Sequence, residues 1–530
     1  MEIARKTIGE VFNEVSERFP NNDALIHTEI GPRYTYGLLS WEVNRAAKGL
    51  MGLGIEKGDR VALWAPNIPE WIVAQMALAK IGAVMVPVNP EIKPAELGYI
   101  LEQSDARAVV LARGLEDTEY VDLIREVKDG LPFLEHIIVI ATQSFLDTTP
   151  WTELVAAGED MHDSALRRRE KGILPESPVA IMYTSGTTGK PKGVVLDHLG
   201  LINKSMASAE RQGLEEGDRL CLFIPLYHMF GNTCVALSAI MTGACIVMPC
   251  LSFEPAKILK AISKERCTAI YGSPSMIIAL VDHPEFNKKR WGGVKKGILG
   301  GAPCPMELMK RLTGELGVSG ITVGYGITET CSWITMTHPN DPLEKRVSTI
   351  GTPLECNEVK IVCPRTGKDL PRGKQGEICV KGLLMKEYYK MPAATASAID
   401  REGWFHTGDL GQMDEDGYVS ITGRLRDVIE RDGVEIIPTE VEEIIYEISQ
   451  VSEAQVFGFP HPKKGQEVAA WVRLKEGSSL SIEDLSRYVA GKVEKRKAPS
   501  FYKIVSRFPM TNSGKVQKFK LAEMAQREYL

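Results

Sequence analysis

The hydrophobic and polar positions near the start of the chain alternate between strand and helix patterns. Residues 59–64, which end in the apolar run Val61 to Trp64, and the apolar run 83–87 predict strands, and the apolar spacing of Ile68 to Ile81 between them predicts a helix. A strand, a helix and a strand in this order form a βαβ unit, which implies a parallel sheet covered by helices. The first part of the chain is therefore predicted to be an α/β domain with parallel sheets flanked by helices. Similar alternation returns at residues 221–224, 233–241, 245–248, 269–271 and 298–299.

The pattern changes beyond about residue 350 to short β-rich segments separated by turn signals. Residues 359–362 and 376–380 have strand composition, and Asp416-Gly417-Tyr418 reads as a turn. Short strands joined by tight turns favour a small barrel or a meander. We expect a small β-barrel-like part at the end of the large domain.

A charged junction that begins with glycine, Gly423-Arg424-Leu425-Arg426-Asp427, ends this stretch. Beyond it, Thr439 and Glu442 have the spacing of a capping box, which would open the following helix. We therefore place a domain boundary near residue 425. It divides the chain into an N-terminal domain, 1–425, and a small α+β C-terminal domain, 426–530.

One apolar stretch has the length of a membrane span. Leu220 to Phe253 contains no Asp, Glu, Lys or Arg, and a span needs only about 20 such residues. However, Pro225, Gly231, Gly243 and Pro249 divide it into a short strand, a loop, a helix of about 10 residues and another strand. We interpret the stretch as buried core and expect no transmembrane segment.

Composition excludes several classes of protein. A net charge of −6 gives no overall attraction for nucleic acid or an anionic membrane. The ten cysteines include no C-x-x-C pair, so neither disulfides nor a zinc site is suggested, and most should be buried thiols. The first residues have no apolar signal region, and Tyr529-Leu530 ends no targeting tripeptide. These features predict a cytoplasmic protein and leave its oligomeric state open, a homodimer included.

The clearest chemical signal is a loop rich in glycine and threonine directly after the apolar strand 179–183. Small residues there would let backbone N–H and side-chain O–H groups surround phosphate oxygens, and two lysines add positive charge. Only two residues separate Gly186 from the Gly189-Lys190 pair, and Pro191 follows, so the Walker A spacing is not met. Taken alone, the loop could equally be a flexible surface turn. Its candidate phosphate-binding residues are Thr184, Ser185, Gly186, Thr187, Thr188, Gly189, Lys190 and Lys192.

Seven motifs in order make the chain resemble the superfamily of adenylate-forming enzymes, in its acyl-CoA synthetase branch. The superfamily also includes aryl-CoA ligases, firefly luciferase and the adenylation domains of peptide synthetases. The resemblance covers nearly the whole chain. The matching segments are Tyr183 to Lys192, Pro225-Leu226-Tyr227-His228, Gly300-Gly301-Ala302-Pro303, Tyr325-Gly326-Ile327-Thr328-Glu329, Thr407-Gly408-Asp409, Gly423 to Asp427, and Thr511-Asn512-Ser513-Gly514-Lys515.

The resemblance implies a nucleotide site for ATP and Mg²⁺. Tyr325 would lie against adenine, Thr328 would bind phosphate, and Glu329 would be a catalytic residue and the Mg²⁺ ligand. Gly301, Ala302 and Pro303 would follow the adenine edge. Out of context, both segments would be ordinary turns. Their roles therefore depend on the order of the motifs.

The resemblance also implies ribose and catalytic contacts. Asp409 would accept hydrogen bonds from both ribose hydroxyls, and Arg424 would be a second ribose contact. Lys515 would reach the α-phosphate and the substrate carboxylate, where its ammonium offsets negative charge. Without the resemblance, Lys515 would be interpreted as one more solvent-facing charge in a basic tail, since residues 491–530 hold ten Lys or Arg and three Asp or Glu.

Two half-reactions follow from the resemblance. A carboxylate first attacks the α-phosphorus of ATP to form an acyl-adenylate, and the coenzyme A thiol then displaces AMP. The C-terminal domain would turn about Arg426 between the steps and bring Asp432 and Gly433 to the thioester site. Relatives usually carry Asp or Lys at the hinge, so Arg426 departs from the pattern. Lys463, Lys464 and Lys497 are weak candidates for binding the coenzyme A nucleotide.

Acyl selectivity is predicted from four positions. Acetate-specific relatives place tryptophan at the position of Gly326, and glycine there should leave volume for a longer or cyclic acid. Tyr227 and His228 resemble the acyl entrance of fatty-acyl and aryl ligases, and Ile327 adjoins the same pocket. We thus expect an AMP-forming acyl-CoA synthetase for an acid larger than acetate: medium- or long-chain, cyclic or aromatic. The alternatives are an adenylate-only enzyme that loads a carrier protein and a non-catalytic nucleotide-binding protein.

Overall fold

The computed structural model describes residues 2–115, 118–141, 145–184, 190–510 and 516–529. The chain divides into two compact units. The first comprises Met1–Val359 and Val380–Phe405, and the second comprises Lys360–Cys379 and His406–Leu530. The domain boundary near residue 425 stays a prediction.

Two large mixed sheets build the first unit. Their central strands pair in parallel, as predicted. Antiparallel strands stand at three of the four sheet edges, and the edge strand Thr149–Pro150 pairs in parallel. The nine-stranded sheet has the order Thr352–Pro353, Ser332–Met336, Gly320–Ile327, Lys296–Gly300, Ala269–Gly272, Arg219–Cys221, Cys245–Met248, Asp23–His27 and Tyr34–Thr35. The eight-stranded sheet has the order Glu387–Tyr388, Lys192–Asp197, Pro178–Thr184, Val84–Pro87, Arg60–Trp64, Ala106–Ala112, His136–Ile140 and Thr149–Pro150.

The predicted βαβ unit is confirmed. Strands Arg60–Trp64 and Val84–Pro87 pair in parallel, and helix Pro69–Ile81 connects them. The proline at the first helical position is preset for a helical φ, and Gly82 ends the helix in the left-handed conformation, with φ +74°. Every helical residue except Glu70 is buried, so the helix belongs to the interior.

Further helices join the strands of the first unit. Among the described residues the α-helices are Ile8–Arg18, Tyr36–Gly52, Pro94–Gln103, Tyr120–Lys128, Trp151–Ala157, Asp163–Lys171, His198–Gln212, Ser238–Thr242, Pro255–Lys264, Pro274–Val281, Lys288–Trp291, Met306–Lys310, Leu343–Ser348 and Pro392–Ala398.

The apolar stretch from Leu220 to Phe253 lies in the core, as predicted. It contains the end of strand Arg219–Cys221, a π-helix at Phe230–Leu237 that continues as an α-helix, and strand Cys245–Met248. Most of its apolar side chains are buried. Among the described residues, no helix combines the length and the apolar character needed to cross a bilayer.

The second unit is built on sheets. The β-rich stretch forms a four-stranded sheet in the order Asn357–Val362, Gly376–Gly382, Phe405–Met413 and Val419–Arg424. Strand Glu387–Tyr388 and helix Pro392–Ala398 lie between its second and third strands along the chain, so it is not a simple meander. A five-stranded sheet follows, made of Ile429–Arg431, Val434–Ile436, Val451–His461, Gly465–Leu474 and Phe501–Ile504, with helices Pro438–Tyr446, Ile482–Ala490 and Lys518–Tyr529.

The capping box predicted at Thr439 and Glu442 is wrong. The helix begins earlier, at Pro438, and the residue before it makes no side-chain cap. Thr439 donates its hydroxyl hydrogen to the carbonyl of Thr422, and Glu442 accepts a hydrogen bond from the N–H of Val456. Because proline is favourable at a first helical position, it moves the helix start ahead of the polar pair.

All ten cysteines lie among the described residues and form no disulfide there, and eight of them are buried. Burial raises the pKa of Cys331 to about 12. Cys356 and Cys363 are partly exposed, and hydrogen bonds at Thr366 lower the pKa of Cys363. The prediction that most cysteines are buried thiols is confirmed.

Candidate active site

The phosphate-loop candidates extend from the end of a hairpin. Strands Pro178–Thr184 and Lys192–Asp197 are antiparallel, and Thr184 pairs with Lys192. Ser185, Gly186, Thr187, Thr188 and Gly189 lie outside the described residues. Both ends of the predicted loop are thus fixed by strand pairing.

Both loop lysines lie over aromatic rings. The Nζ of Lys190 is 4.8 Å from the ring centre of Tyr99, whose hydroxyl donates to the carbonyl of Pro191 at 3.0 Å. The Nζ of Lys192 is 4.3 Å from the ring centre of Tyr388. The negative face of an aromatic ring attracts an ammonium group, so these contacts position both cations beside the loop.

A second hairpin carries the Tyr325 to Glu329 motif. Strands Gly320–Ile327 and Ser332–Met336 are antiparallel, and a 3₁₀ turn at Thr328–Thr330 joins them. The hydroxyl of Thr330 donates to the carbonyl of Ser332 at 2.9 Å and stabilises the turn. Thr328 and Glu329, partly exposed, therefore lie on a turn that this hydrogen bond closes.

Tyr388 connects the two hairpins. Its hydroxyl donates to Oε1 of Glu329 at 2.8 Å, while its ring lies under Lys192. Tyr388 is held there because it pairs with Val194 on the strand that leaves the phosphate loop, and the N–H of Met385 donates to the carbonyl of Glu329 at 2.7 Å. Burial, and next the charge of Glu329, raise the pKa of Tyr388, so its proton stays in place.

This arrangement fits a hard cation. A carboxylate that shares one oxygen with a phenol can offer its other oxygen to Mg²⁺, which binds through one or two carboxylates and substrate phosphates. Sequence reasoning identified Glu329 and Lys192 but missed Tyr388, which comes from a distant segment. The only available signal was a Tyr-Tyr pair at 388–389.

The adenine candidates lie together at the carboxyl ends of two neighbouring parallel strands of the nine-stranded sheet. Gly300 pairs with Gly324 in parallel register, so Gly301 and Tyr325 each lie one residue beyond the pair. Gly301 has φ +82°, which glycine adopts without strain, and Gly301, Ala302 and Pro303 are exposed. Ligands of open α/β sheets bind at the carboxyl ends of parallel strands, and Gly301 and Tyr325 lie at two such ends.

The structural reason for glycine at position 326 differs from the predicted one. A Cβ there would lie 2.0 Å from the carbonyl oxygen of Ser332 on the neighbouring strand. Main chain therefore occupies the position that a Cβ would take, and the acyl-pocket role of Gly326 stays a prediction. A larger residue at this position would require the two strands to separate.

Trp333 fills the space beside two other glycines of this sheet, Gly300 and Gly324. A Cβ on Gly300 or Gly324 would lie 2.7 or 2.9 Å from the indole, and Phe230 meets the indole edge-to-face at 5.1 Å. Only 4% of Trp333 is exposed. Sequence reasoning missed both aromatic residues, because their contact joins segments about a hundred positions apart.

The predicted acyl entrance leads to the same ring cluster. Tyr227 is half-buried, and burial raises the pKa of its phenol. His228 is exposed, and its Nδ1 accepts from the N–H of Phe230 at 3.2 Å. Since Phe230 contacts Trp333, the 227–230 segment packs against the hairpin that carries the Tyr325 to Glu329 motif, and Ile327 is partly buried at the end of strand Gly320–Ile327.

The ribose candidates are brought together in the second unit. Asp409 pairs with Arg424 across two antiparallel strands, and Oδ1 of Asp409 lies 3.3 Å from Nε of Arg424. The Thr407 hydroxyl donates to the carbonyl of Ile378 at 2.7 Å and accepts from the N–H of Asp409 at 3.1 Å. These contacts hold the turn that carries Asp409.

The thioester candidates lie in the same unit. Arg426 is exposed in a 3₁₀ turn, with Nε 3.5 Å from Oδ1 of Asp427. Asp432 and Gly433 form an exposed turn with φ +52° and +74°. Lys515 lies outside the described residues.

Two of the three lysines predicted as weak candidates for coenzyme A have acidic partners. Lys464 lies 2.6 Å from Oε2 of Glu467, and Lys497 lies 2.7 Å from Oε2 of Glu440. A phosphate would compete with these carboxylates, so both lysines stay weak candidates.

Comparisons with known proteins identify the family. The sequence matches the AMP-binding enzyme family over residues 12–389 and the C-terminal domain of AMP-binding enzymes over residues 440–515. YngI of Bacillus subtilis, named as an acyl-CoA synthetase, is 40% identical over 98% of this chain and 97% of its own length. The mitochondrial medium-chain acyl-CoA ligase ACSF2 of Danio rerio is 33% identical over 98% of this chain and 89% of its own length.

A solved structure extends the match to the whole fold. ATP-bound MatB from Rhodopseudomonas palustris is 27% identical, with a TM-score of 0.84 over 98% of this chain and 100% of its own. These matches confirm the predicted resemblance, the α/β fold with its small C-terminal domain, ATP binding and the use of coenzyme A. The chain belongs to the AMP-binding enzyme family, in its acyl-CoA synthetase branch, and is an AMP-forming acyl-CoA ligase.

Proposed function

We propose that this ligase activates medium-chain carboxylic acids, with ATP and Mg²⁺, and transfers the acyl group to coenzyme A. The observation that carries the adenylation site is the contact of one phenol, Tyr388, with both Lys192 and Glu329. The phenol holds a cation for phosphate oxygens, on the strand Lys192–Asp197, next to a carboxylate for Mg²⁺ on the turn Thr328–Thr330.

In the first half-reaction, the carboxylate of the acid attacks the α-phosphorus and pyrophosphate leaves. Lys190, Lys192 and Lys515 offset the charge of the crowded phosphates, and Tyr325 and Asp409 hold the adenosine. Bound Mg²⁺ would neutralise charge on the phosphate oxygens. The acid is ionised near neutral pH, so no residue has to remove its proton.

In the second half-reaction, the thiol of coenzyme A attacks the acyl carbonyl and AMP leaves. The C-terminal domain would turn about Arg426, withdraw Lys515 and present Asp432 and Gly433. One small domain thus serves both steps.

The preference for medium chains is supported by the named activity of the ACSF2 relative. At the predicted acyl entrance, the partly buried ring of Phe230 packs edge-to-face against the buried Trp333. Long-chain, cyclic and aromatic acids are the next candidates. A cytoplasmic location stays a prediction.

A panel of acids tests the proposal. Acetate, octanoate, palmitate, cyclohexanecarboxylate and benzoate would be compared for AMP formation with and without coenzyme A. We expect the highest kcat/KM for octanoate and a requirement for coenzyme A for turnover. A higher kcat/KM for benzoate or palmitate would reject the chain-length assignment, and full turnover without coenzyme A would favour the adenylate-only alternative.

A further inference from the structure

Three side chains with metal-binding chemistry converge on two neighbouring strands of the four-stranded sheet. Glu377 and Cys379 are two residues apart on strand Gly376–Gly382, so they lie on the same face. His406 comes from the neighbouring strand Phe405–Met413. Two alternate residues of one strand and one residue of the next can supply three corners of a tetrahedron around a metal ion.

The ligand atoms are already close together. Nδ1 of His406 lies 2.9 Å from Oε2 of Glu377 and 3.5 Å from Sγ of Cys379. All three atoms lie within 4.8 Å of one another. Neighbouring ligand atoms of a tetrahedral zinc site are roughly 3.4–3.6 Å apart, given the usual bond lengths. Small side-chain movements would therefore complete the site.

The surroundings suit a metal centre with one open position. Glu377 and Cys379 are buried, whereas 29% of the His406 side chain is exposed, which gives an ion access from solvent. The second carboxylate oxygen of Glu377 accepts from the N–H of Gly408 at 3.1 Å. Such an outer hydrogen bond orients a ligating carboxylate.

We propose that Glu377, Cys379 and His406 bind one Zn²⁺ ion, with water in the fourth position. Thiolate, imidazole and carboxylate together favour zinc over Mg²⁺ or Ca²⁺. Binding deprotonates the Cys379 thiol, and the proton goes to solvent. The ligands come from two strands, so the missing C-x-x-C pair does not exclude this site.

Zinc at this position bears on nucleotide binding. His406 directly precedes the Thr407-Gly408-Asp409 turn, and Glu377 is bonded to Gly408. Ligation therefore shifts the turn that carries Asp409, and we expect Zn²⁺ to raise the KM for ATP. This consequence rests on the proposed ribose role of Asp409, whereas metal binding itself does not.

Cobalt titration of the full-length, tag-free protein tests the site. Tetrahedral Co²⁺ with a thiolate ligand gives a near-ultraviolet charge-transfer band, and we expect it to saturate at one equivalent and to disappear on addition of Zn²⁺. Cys379→Ser removes the thiolate and should abolish the band. His406→Asn should weaken Co²⁺ binding by about tenfold or more. The matched control is Cys363→Ser, which removes a more accessible thiol and should leave the band unchanged.

Three outcomes would overturn the proposal: no band in the wild type at one equivalent, a band that survives Cys379→Ser, or a band lost in Cys363→Ser. Circular dichroism checks that each variant is folded. If Cys379→Ser does not fold, the Co²⁺ affinity of His406→Asn tests the site in its place. Because the readout is optical, it stays valid even if the proposed acid or the role of Asp409 is wrong.

Discussion

The two contacts of Tyr388 can be separated by mutation. Tyr388→Phe keeps the ring under Lys192 and removes the hydrogen bond to Glu329. A lost hydrogen bond to a charged group costs about 1.5–3 kcal/mol, so we expect acid-dependent ATP–pyrophosphate exchange to fall about 10- to 100-fold in kcat/KM. The Mg²⁺ concentration for half-maximal rate should rise, because the carboxylate is less well oriented.

Tyr389→Phe is the matched control for this prediction. The Tyr389 hydroxyl lies 3.0 Å from a carboxylate oxygen of Asp105, away from Glu329. Its loss should leave the Mg²⁺ dependence unchanged. An unchanged Mg²⁺ dependence in Tyr388→Phe would contradict the positioning role, whatever the effect on overall rate.

His198 should make the fold sensitive to acid. Burial lowers its pKa to about 3, from 6.5 in an unfolded chain, and Nδ1 accepts from the N–H of Ile8 at 3.2 Å. Between these values the unfolded chain binds the proton and the folded chain does not, so stability falls as pH falls. Between pH 6.5 and about 3, this group lowers the free energy of unfolding by about 1.4 kcal/mol for each pH unit of acidification.

Urea unfolding from pH 7 to pH 4 checks this expectation. His198→Asn keeps an acceptor for Ile8 and should flatten the decline in the free energy of unfolding. His162→Asn is the control, since His162 is exposed and its Nδ1 also accepts a backbone N–H, from Ser164. Equal slopes for wild type and His198→Asn would show that other groups cause the acid sensitivity.

Among the elements, the Glu329 hairpin depends on close strand approach at Gly326. Gly326→Ala would place a methyl group 2.0 Å from the Ser332 carbonyl oxygen. We expect it to lower the free energy of unfolding by about 2–3 kcal/mol, because backbone cannot move as a side chain would. It should also weaken adenylation, since Thr328 and Glu329 lie on the same hairpin.

Gly314→Ala serves as the comparison. Gly314 is exposed, and a Cβ there meets nothing within 4 Å. Thermal unfolding of both variants measures the difference. A Gly326→Ala protein as stable as Gly314→Ala would show that the two strands can separate at this point.

The elements show what the sequence can predict and what it cannot. The βαβ unit around Pro69–Ile81 was predictable because its period and its end signals act locally. The capping box at Thr439 failed because a proline one position earlier offered a competing start. Tyr388 and Trp333 were missed because their roles arise from pairing between distant segments, which local patterns do not encode. The candidate site was thus predicted as motifs, and its connecting residues were not.

For the molecule as a whole, the two half-reactions should depend differently on Lys515. Lys515→Ala should reduce acid-dependent ATP–pyrophosphate exchange by about 100-fold or more, because the charge that offsets the crowded phosphates is lost. Thioester formation from supplied acyl-AMP and coenzyme A should stay within about threefold of wild type. The two rates are measured separately on the same preparation.

Lys520→Ala controls for a general loss of charge in the basic tail. Lys520 is exposed on the last helix, and we expect both half-reactions to keep their wild-type rates. Equal losses of both rates in Lys515→Ala would argue that the lysine supports the domain fold instead of adenylation.

The distribution of thiols gives the molecule a built-in place for a reporter dye. Alkylation needs an accessible thiolate, and hydrogen bonding lowers the pKa of Cys363 while burial raises that of Cys356. A maleimide fluorophore at limiting concentration should therefore label Cys363 first. Such a label would place an environment-sensitive probe in the second unit of the unmutated enzyme, where its emission could be followed through each half-reaction.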